Sequence, residues 1–161
     1  MREASRRALA KPARGGLSNL LFGRLSLAEA PGALAGLADE LTVLLPWGSL
    51  LAAVARPDAG GLAALRALGK PGAALRIVFG YGAGAEAGAI RDLGLPAIDD
   101  AACLRLEAAY RQAGLAVRAR RPSLDEVRAL PTTWAKRLAF SGYERRFVEL
   151  KAGRSWPGTG R

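Results

Sequence analysis

An apolar run that stops on Leu44-Leu45-Pro46-Trp47-Gly48-Ser49-Leu50-Leu51 sets the strongest limit on how this chain folds. Residues 40–46 have the apolar content of a strand. Pro46 then removes a backbone donor and Gly48 permits a sharp turn, so the strand ends there. A helical pattern over residues 48–55 follows directly. A strand feeding a helix through a tight turn is the unit of α/β folds, and open α/β sheets bind ligands at the carboxyl edge where such turns lie. Trp47 leaves the sheet at that edge. Trp134 sits in a polar, basic setting, Thr132-Thr133-Trp134-Ala135-Lys136-Arg137. Two tryptophans so placed suit the two walls of a slot for a flat base; the alternative is that both fill the core.

The rest of the pattern alternates in the same way. Residues 2–10 predict a helix stopped by Pro12 and Gly15-Gly16, and residues 19–26 a strand. A helix over 60–68 ends before Lys70-Pro71-Gly72, and residues 73–81 form a buried-type strand. A loose Gly/Ala segment covers 82–98. Asp99-Asp100 caps a helix over 101–113, which Gly114 terminates. A strand over 115–121 follows. Ser123 opens a short helix reaching about Leu130. Residues 133–140 are helical, residues 145–151 form a further strand, and 153–161 read as a disordered tail. The whole predicts one α/β domain over 1–152 with a mainly parallel sheet, in which one of the last two strands runs antiparallel for want of a crossover helix.

Charge and composition narrow the chemistry. The net charge is +10, with +5 in residues 1–24, −2 in 25–117 and +7 in 118–161. Basic ends around a near-neutral middle suit a polyanion, although a composition rich in Ala, Gly and Arg gives the same charge with no partner. Without histidine, His-based catalysis and most transition-metal sites are ruled out, and no metal is expected. A lone Cys103 excludes an internal disulfide and fits a reducing compartment. No apolar stretch approaches the ~20 residues of a membrane span, and no signal-peptide core follows Met1, which predicts a cytoplasmic protein.

Gly82-Ala83-Gly84-Ala85-Glu86-Ala87 fits a G-x-G-x-x-A dinucleotide loop after a strand, the basis of a nucleotide-binding oxidoreductase reading. Gly88, Gly94 and Pro96 interrupt the helix that should follow. No strand ending in an acid lies about 20 residues on, where the ribose contact belongs.

Four stretches together resemble the aminoglycoside-resistance 16S rRNA methyltransferases that modify a ring nitrogen of a decoding-site adenine. They are Ala10-Lys11-Pro12-Ala13-Arg14-Gly15-Gly16-Leu17-Ser18-Asn19-Leu20-Leu21-Phe22, residues 39–51 with the Pro-Trp-Gly-Ser run, Ala109-Tyr110-Arg111-Gln112-Ala113-Gly114-Leu115, and Thr132-Thr133-Trp134-Ala135-Lys136-Arg137-Leu138. The resemblance implies a class I, Rossmann-like methyltransferase sheet with helices on both faces, binding S-adenosylmethionine. Nothing here matches the family's first strand, its Asp-x-Gly-x-Gly loop or its second strand ending in an acid. The chain thus resembles the family without its first third, which implies weak or absent cofactor binding by the isolated 161 residues.

Residue by residue, the resemblance makes Trp47 and Trp134 the rings that stack on a flipped adenine. It puts Ala28 and Glu29 beside the cofactor's adenine, Leu45, Pro46 and Ser49 near its methionine end, and a Thr132 hydroxyl facing that end. Lys11, Arg14, Lys136, Arg137, Arg145 and Arg146 fall where the family meets rRNA phosphates. The implied partner is 16S rRNA in the small ribosomal subunit, with the protein a monomer. A non-catalytic rRNA-binding remnant is the competing reading.

Overall fold

The computed structural model describes residues 12–14, 19–20, 23–82, 84, 86–140 and 144–152. The helix expected over 2–10 and the tail over 153–161 lie outside them. After a 3-10 turn at Pro12–Arg14, the elements are α1 (Ala30–Leu34), β1 (Ala38–Leu44), α2 (Ser49–Ala55), α3 (Ala59–Leu68) and β2 (Gly69–Tyr81). Then come α4 (Ala87–Asp92), α5 (Ala102–Gln112), β3 (Arg118–Arg120), α6 (Leu124–Arg128), α7 (Thr133–Phe140) and β4 (Arg146–Ala152).

The described strands form one open sheet in the order β1-β2-β4-β3. β1 and β2 are parallel, and β4 runs antiparallel to both β2 and β3. Three strands therefore share one direction and β4 opposes them, so one of the last two strands runs antiparallel as expected, although α6 and α7 lie between them. Strand alternation divides the side chains between two faces. Leu75, Ile77, Phe79 and Tyr81 of β2, with Val148, Leu150 and Ala152 of β4, pack under α2, α3 and α5 through Leu51, Val54, Leu62, Leu65, Leu106 and Tyr110. Val78 and Phe147 point the other way and meet Val127, Leu130 and Ala135 from α6, the following turn and α7. Helices therefore cover both faces, as the class I resemblance implies.

Several strand boundaries differ from expectation: β1 covers 38–44 rather than 40–46, and β3 only 118–120 rather than 115–121. β2 begins at Gly69, directly from α3, rather than at 73. Ala38 pairs with Gly69 and Glu40 with Ala74, so Lys70-Pro71-Gly72 bulges out of the ladder. Pro71 has no donor to offer and Gly72 takes φ +80°, which favours such a bulge. A Lys70 Nζ to Asp39 Oδ1 ion pair of 2.7 Å spans it.

The strand expected over 19–26 is absent among its described residues, 19–20 and 23–26, which are turn and irregular chain. Turn chemistry wins there. The Ser26 hydroxyl and backbone N–H both donate to Glu29 Oε2, at 2.7 and 3.1 Å, and Glu29 N–H donates back to Ser26 Oγ at 3.3 Å. This reciprocal Ser-x-x-Glu arrangement turns the chain into α1, where Pro31 occupies the first turn. Within the segment expected to be loose, residues 87–92 form α4.

Candidate functional site

At the carboxyl end of β1 the backbone takes an unusual path. Leu45 has φ +49°, the one non-glycine residue with positive φ among those described. A branched side chain there carries strain of about 1–3 kcal/mol and needs strong local support. Leu45 N–H donates to Val78 O at 2.7 Å, and its side chain joins Leu44 and Leu138 against the Val78–Val127–Leu130–Ala135–Phe147 cluster. Pro46 then carries the chain out of the sheet. Gly48, at φ +63°, turns it into α2, and Gly48 O accepts from Ala52 N–H at 3.0 Å. The result is a Trp47 side chain 52 % exposed at the sheet edge.

The segment that carries Trp134 adjoins the same cluster through Ala135. Thr132 ends the turn after α6; its Oγ1 accepts from Trp134 N–H at 3.2 Å and its carbonyl from Ala135 N–H, also at 3.2 Å. It therefore caps α7. Ala135, next in sequence, is fully buried in the cluster, while Trp134 is 59 % exposed. Each indole thus projects from a residue adjoining the same apolar plug: Leu45, two before Trp47, and Ala135, one after Trp134. Neither ring is sealed in the core. Large exposed aromatics anchored on a rigid base are suited to stacking on flat ligands.

Ala28 and Ser49 line an open cleft of about 500 Å³, together with Leu41, Val43 and the small residues Gly60, Gly61 and Ala64. That size lies within the ~300–1,000 Å³ of small-molecule sites. Its walls are mainly apolar, and Ser49 and Ser26 contribute the hydroxyls. Glu29 is exposed beside it. Hydrogen bonds from the Ser26 side chain and backbone hold its carboxyl below the usual range, so it stays ionised and fixed. Leu45 and Pro46 connect β1 to Trp47. Of the six residues assigned to the cofactor, the structure brings Ala28 and Ser49 into one cleft with Glu29 exposed beside it; Leu45 packs on the apolar cluster instead, and Pro46 and Thr132 do not line the cleft.

The basic candidates divide. Arg14, Arg137 and Arg146 are exposed; Arg146 Nη1 donates to Ile98 O at 3.1 Å. Lys11 lies outside the described residues, as does the Lys136 side chain. Arg145 differs from expectation. It is 9 % exposed and pairs with Glu86 Oε1 at 2.8 Å, so its charge ties the 82–86 loop to the start of β4 instead of facing solvent.

The dinucleotide-loop reading also fails here. Gly82 N–H donates to Glu86 Oε2 at 3.3 Å, and a Cβ on Gly82 would lie 2.1 Å from Glu144 O. The glycine serves a close approach of two chain segments, and α4 beyond it has six residues.

Sequence reasoning missed two anchors of this region. Tyr110, fully buried on α5, donates from its hydroxyl to Val54 O at 3.1 Å and holds the C-terminal end of α2. Its surrounding Ala-Tyr-Arg-Gln motif was visible, its partner was not. Glu149 is 1 % exposed in mid-strand and accepts from Arg76 Nε at 2.9 Å. Among the described residues no group of three or more Cys, Asp or Glu is placed to hold a metal, and no helix is long and apolar enough to cross a membrane.

Residues 1–153 match the family described as NpmA: 16S rRNA (adenine(1408)-N(1))-methyltransferase. The chain is 32 % identical over 151 residues to the 16S rRNA (adenine(1408)-N(1))-methyltransferase of Escherichia coli, covering 92 % of this chain and 68 % of that protein. It spans about two thirds of the length of the curated relatives it matches. The crystal structure of the 16S rRNA methyltransferase KamB superposes with a TM-score of 0.79 at 32 % identity, covering 96 % of this chain and 72 % of that one. The W203A mutant of the 16S rRNA (adenine(1408)-N(1))-methyltransferase from Catenulisporales acidiphilia, crystallised with cosubstrate SAM, superposes at 0.72 with 35 % identity, covering 95 % and 69 %.

Proposed function

The chain belongs to the NpmA family of 16S rRNA (adenine(1408)-N(1))-methyltransferases, and from that premise we propose that it acts in methyl transfer from S-adenosylmethionine to a ring nitrogen of the decoding-site adenine of 16S rRNA. Its partner is then the small ribosomal subunit, and its place of action the cytoplasm. Bound S-adenosylmethionine supplies an electrophilic methyl group on a sulfonium. The adenine nitrogen carries a free lone pair at neutral pH, so the protein needs neither histidine nor a paired acid and base. Its work is alignment and exclusion of water, and alignment alone can supply up to ~7–11 kcal/mol in favourable cases.

Trp47 and Trp134 hold the flipped base between them. Extrusion from a stack costs a few kcal/mol, and each aromatic contact returns about 1–3 kcal/mol. Ala28 and Ser49 line the cleft for the cofactor's flat and polar parts, and Leu45 and Pro46 stiffen the stretch between cofactor and base. Arg14, Arg137 and Arg146 dock the rRNA backbone, which fixes register without reading sequence. The observation that carries this reading is the pair of exposed indoles on two chain segments that adjoin one buried cluster through Leu45 and Ala135.

The test is a decoding-site RNA hairpin with 2-aminopurine at the target adenine. Stacking on the wild-type chain quenches its fluorescence, and Trp47→Ala and Trp134→Ala each weaken that complex by about 5- to 150-fold, the equivalent of the stacking energy above. Unchanged affinity and quenching in both variants overturns the clamp. Low-micromolar binding of S-adenosylmethionine in the same samples supports a methylating protein and overturns the expectation of weak or absent cofactor binding by these 161 residues.

A further inference from the structure

The segment that carries Thr132 and Trp134 has little to hold it in place by itself. α6 has five residues, too few to be stable alone. It follows β3, a three-residue strand that among the described elements pairs only with β4. Val127 and Leu130 press into the Val78–Phe147 cluster, which keeps the segment attached. Apolar contact is non-directional, however, and does not by itself fix the angle of the segment on the plug. Something directional must set its angle.

We propose that Arg120 is that positioning residue. Arg120 and Glu149 are cross-strand partners on the face that α6 and α7 cover. Glu149 is buried in mid-strand, with Arg76 Nε at 2.9 Å and Lys151 Nζ at 3.3 Å on Oε1. Arg120 Nη2 pairs with its other oxygen, Oε2. The same guanidinium turns outward to Glu126: Nη2 lies 2.8 Å from Oε1 and Nη1 donates to Oε2 at 3.0 Å. This fork against a carboxylate fixes both distance and plane, which a point charge does not.

Glu126 is also the third residue of α6. Its Oε2 accepts from Ser123 N–H at 2.7 Å, while its own N–H donates to Ser123 Oγ at 3.2 Å. A continuous chain of ion pairs therefore runs from the sheet interior through Glu149 and Arg120 to Glu126, where hydrogen bonds tie it to the first turn of α6. From there the backbone passes Leu130 and reaches the Thr132 cap of α7. Arg120 touches neither base nor cofactor; it acts through the position of Trp134. Its effect on base binding rests on the stacking role proposed above, whereas the anchoring itself does not.

Two measurements on the full chain separate these. In the first, hydrogen exchange of the amides of residues 124–138 is compared between wild type, Arg120→Lys and Arg120→Met. Exchange accelerates at least about threefold in Arg120→Met, and by less in Arg120→Lys, while the amides of β2 keep their protection. Unchanged exchange over 124–138, or equal loss across the sheet, overturns the proposal. In the second, Arg120→Met is combined with Trp134→Ala and titrated with the 2-aminopurine hairpin. The Arg120 substitution weakens binding in the wild-type background and has no further effect once Trp134 is gone. Additive losses mean that Arg120 meets RNA directly and overturn the proposal. Faster exchange with no fluorescence change in any variant supports the anchor and sinks the stacking role.

Discussion

Replacing Tyr110 by phenylalanine removes one atom and tests how α2 is held. α2 ends at Ala55, and the carbonyls of its last turn lack partners within the helix. Arg56 N–H returns to Ala52 O at 2.9 Å, which leaves Val54 O to be met from outside. Tyr110 supplies the donor at 3.1 Å, and both residues are fully buried. Burial pushes the Tyr110 hydroxyl upward, so it stays protonated and a donor at every working pH. Phenylalanine keeps the ring packing and deletes the donor. A buried carbonyl without a partner costs about 1–3 kcal/mol. With a urea m-value of about 2 kcal/mol/M for a chain of this size, a loss of ~1.5 kcal/mol lowers the unfolding midpoint by about 0.7 M at unchanged m. Circular dichroism at 222 nm through a urea series reads this directly. A midpoint shift below about 0.2 M would mean that water or another group reaches Val54 O and that α2 does not depend on α5 for its end.

Three further outcomes are expected. Trp47→Ala and Trp134→Ala each change unfolding free energy by less than about 1 kcal/mol, because both rings are more than half exposed; a loss above 3 kcal/mol in the same urea assay would put them in the core. Gly80→Ala destabilises by about 2 kcal/mol or more, since its Cβ would fall 2.2 Å from Phe147 Cδ1 and 2.8 Å from Arg146 O, where backbone must move; a midpoint equal to wild type refutes that packing. Acid weakens the fold. The Arg120 hydrogen bond first, then the Ser123 backbone, hold Glu126 down to about 2 from an ordinary 4.5, so its contribution is present above pH 4.5 and is lost as pH falls toward 2. Glu126→Gln should flatten the melting temperature between those limits, and an unchanged acid slope would show that other carboxylates govern it.

The sequence carried the local chemistry of this fold better than its long-range pairing. Pro46 and Gly48 end β1 and start α2 where their backbone limits demand, and Gly114, at φ +79°, closes α5. Ser123-x-x-Glu126 opens α6 with the full capping box. The same spacing in Ser26-x-x-Glu29 was passed over, because the apolar Leu20, Leu21, Phe22 and Leu25 read as a strand. A strand needs a neighbour, and the described part of that segment has none. Lys70-Pro71-Gly72 looked like a stop, yet a bulge lets the ladder begin before it.

At the site, the exposed state of both tryptophans was legible from their flanking residues. The fate of the charges was not. Glu149 alternates with Val148 and Leu150 as a solvent-facing residue would, and it is buried because Arg76, Arg120 and Lys151 arrive from neighbouring strands or from its own. Desolvation pushes its carboxyl up, and the hydrogen bonds from Arg76 and Lys151 and the Arg120 charge more than offset that, leaving it below the ordinary value. Arg145 looked like any surface arginine until Glu86, 59 residues away, was found beside it.

The placement of β4 between β2 and β3 also dictates an order of assembly. β3 precedes β4 in the chain, yet it has no sheet edge to join until β4 has threaded antiparallel along β2. Phe147, part of the floor under α6 and α7, arrives with the same strand. Val78 of that floor is made early, yet the Trp134 segment is synthesised before the surface it docks on is complete. The apolar plug next to both tryptophans is therefore complete only once residues 146–152 are in place, and the segment that carries Trp134 waits on the C-terminal strand.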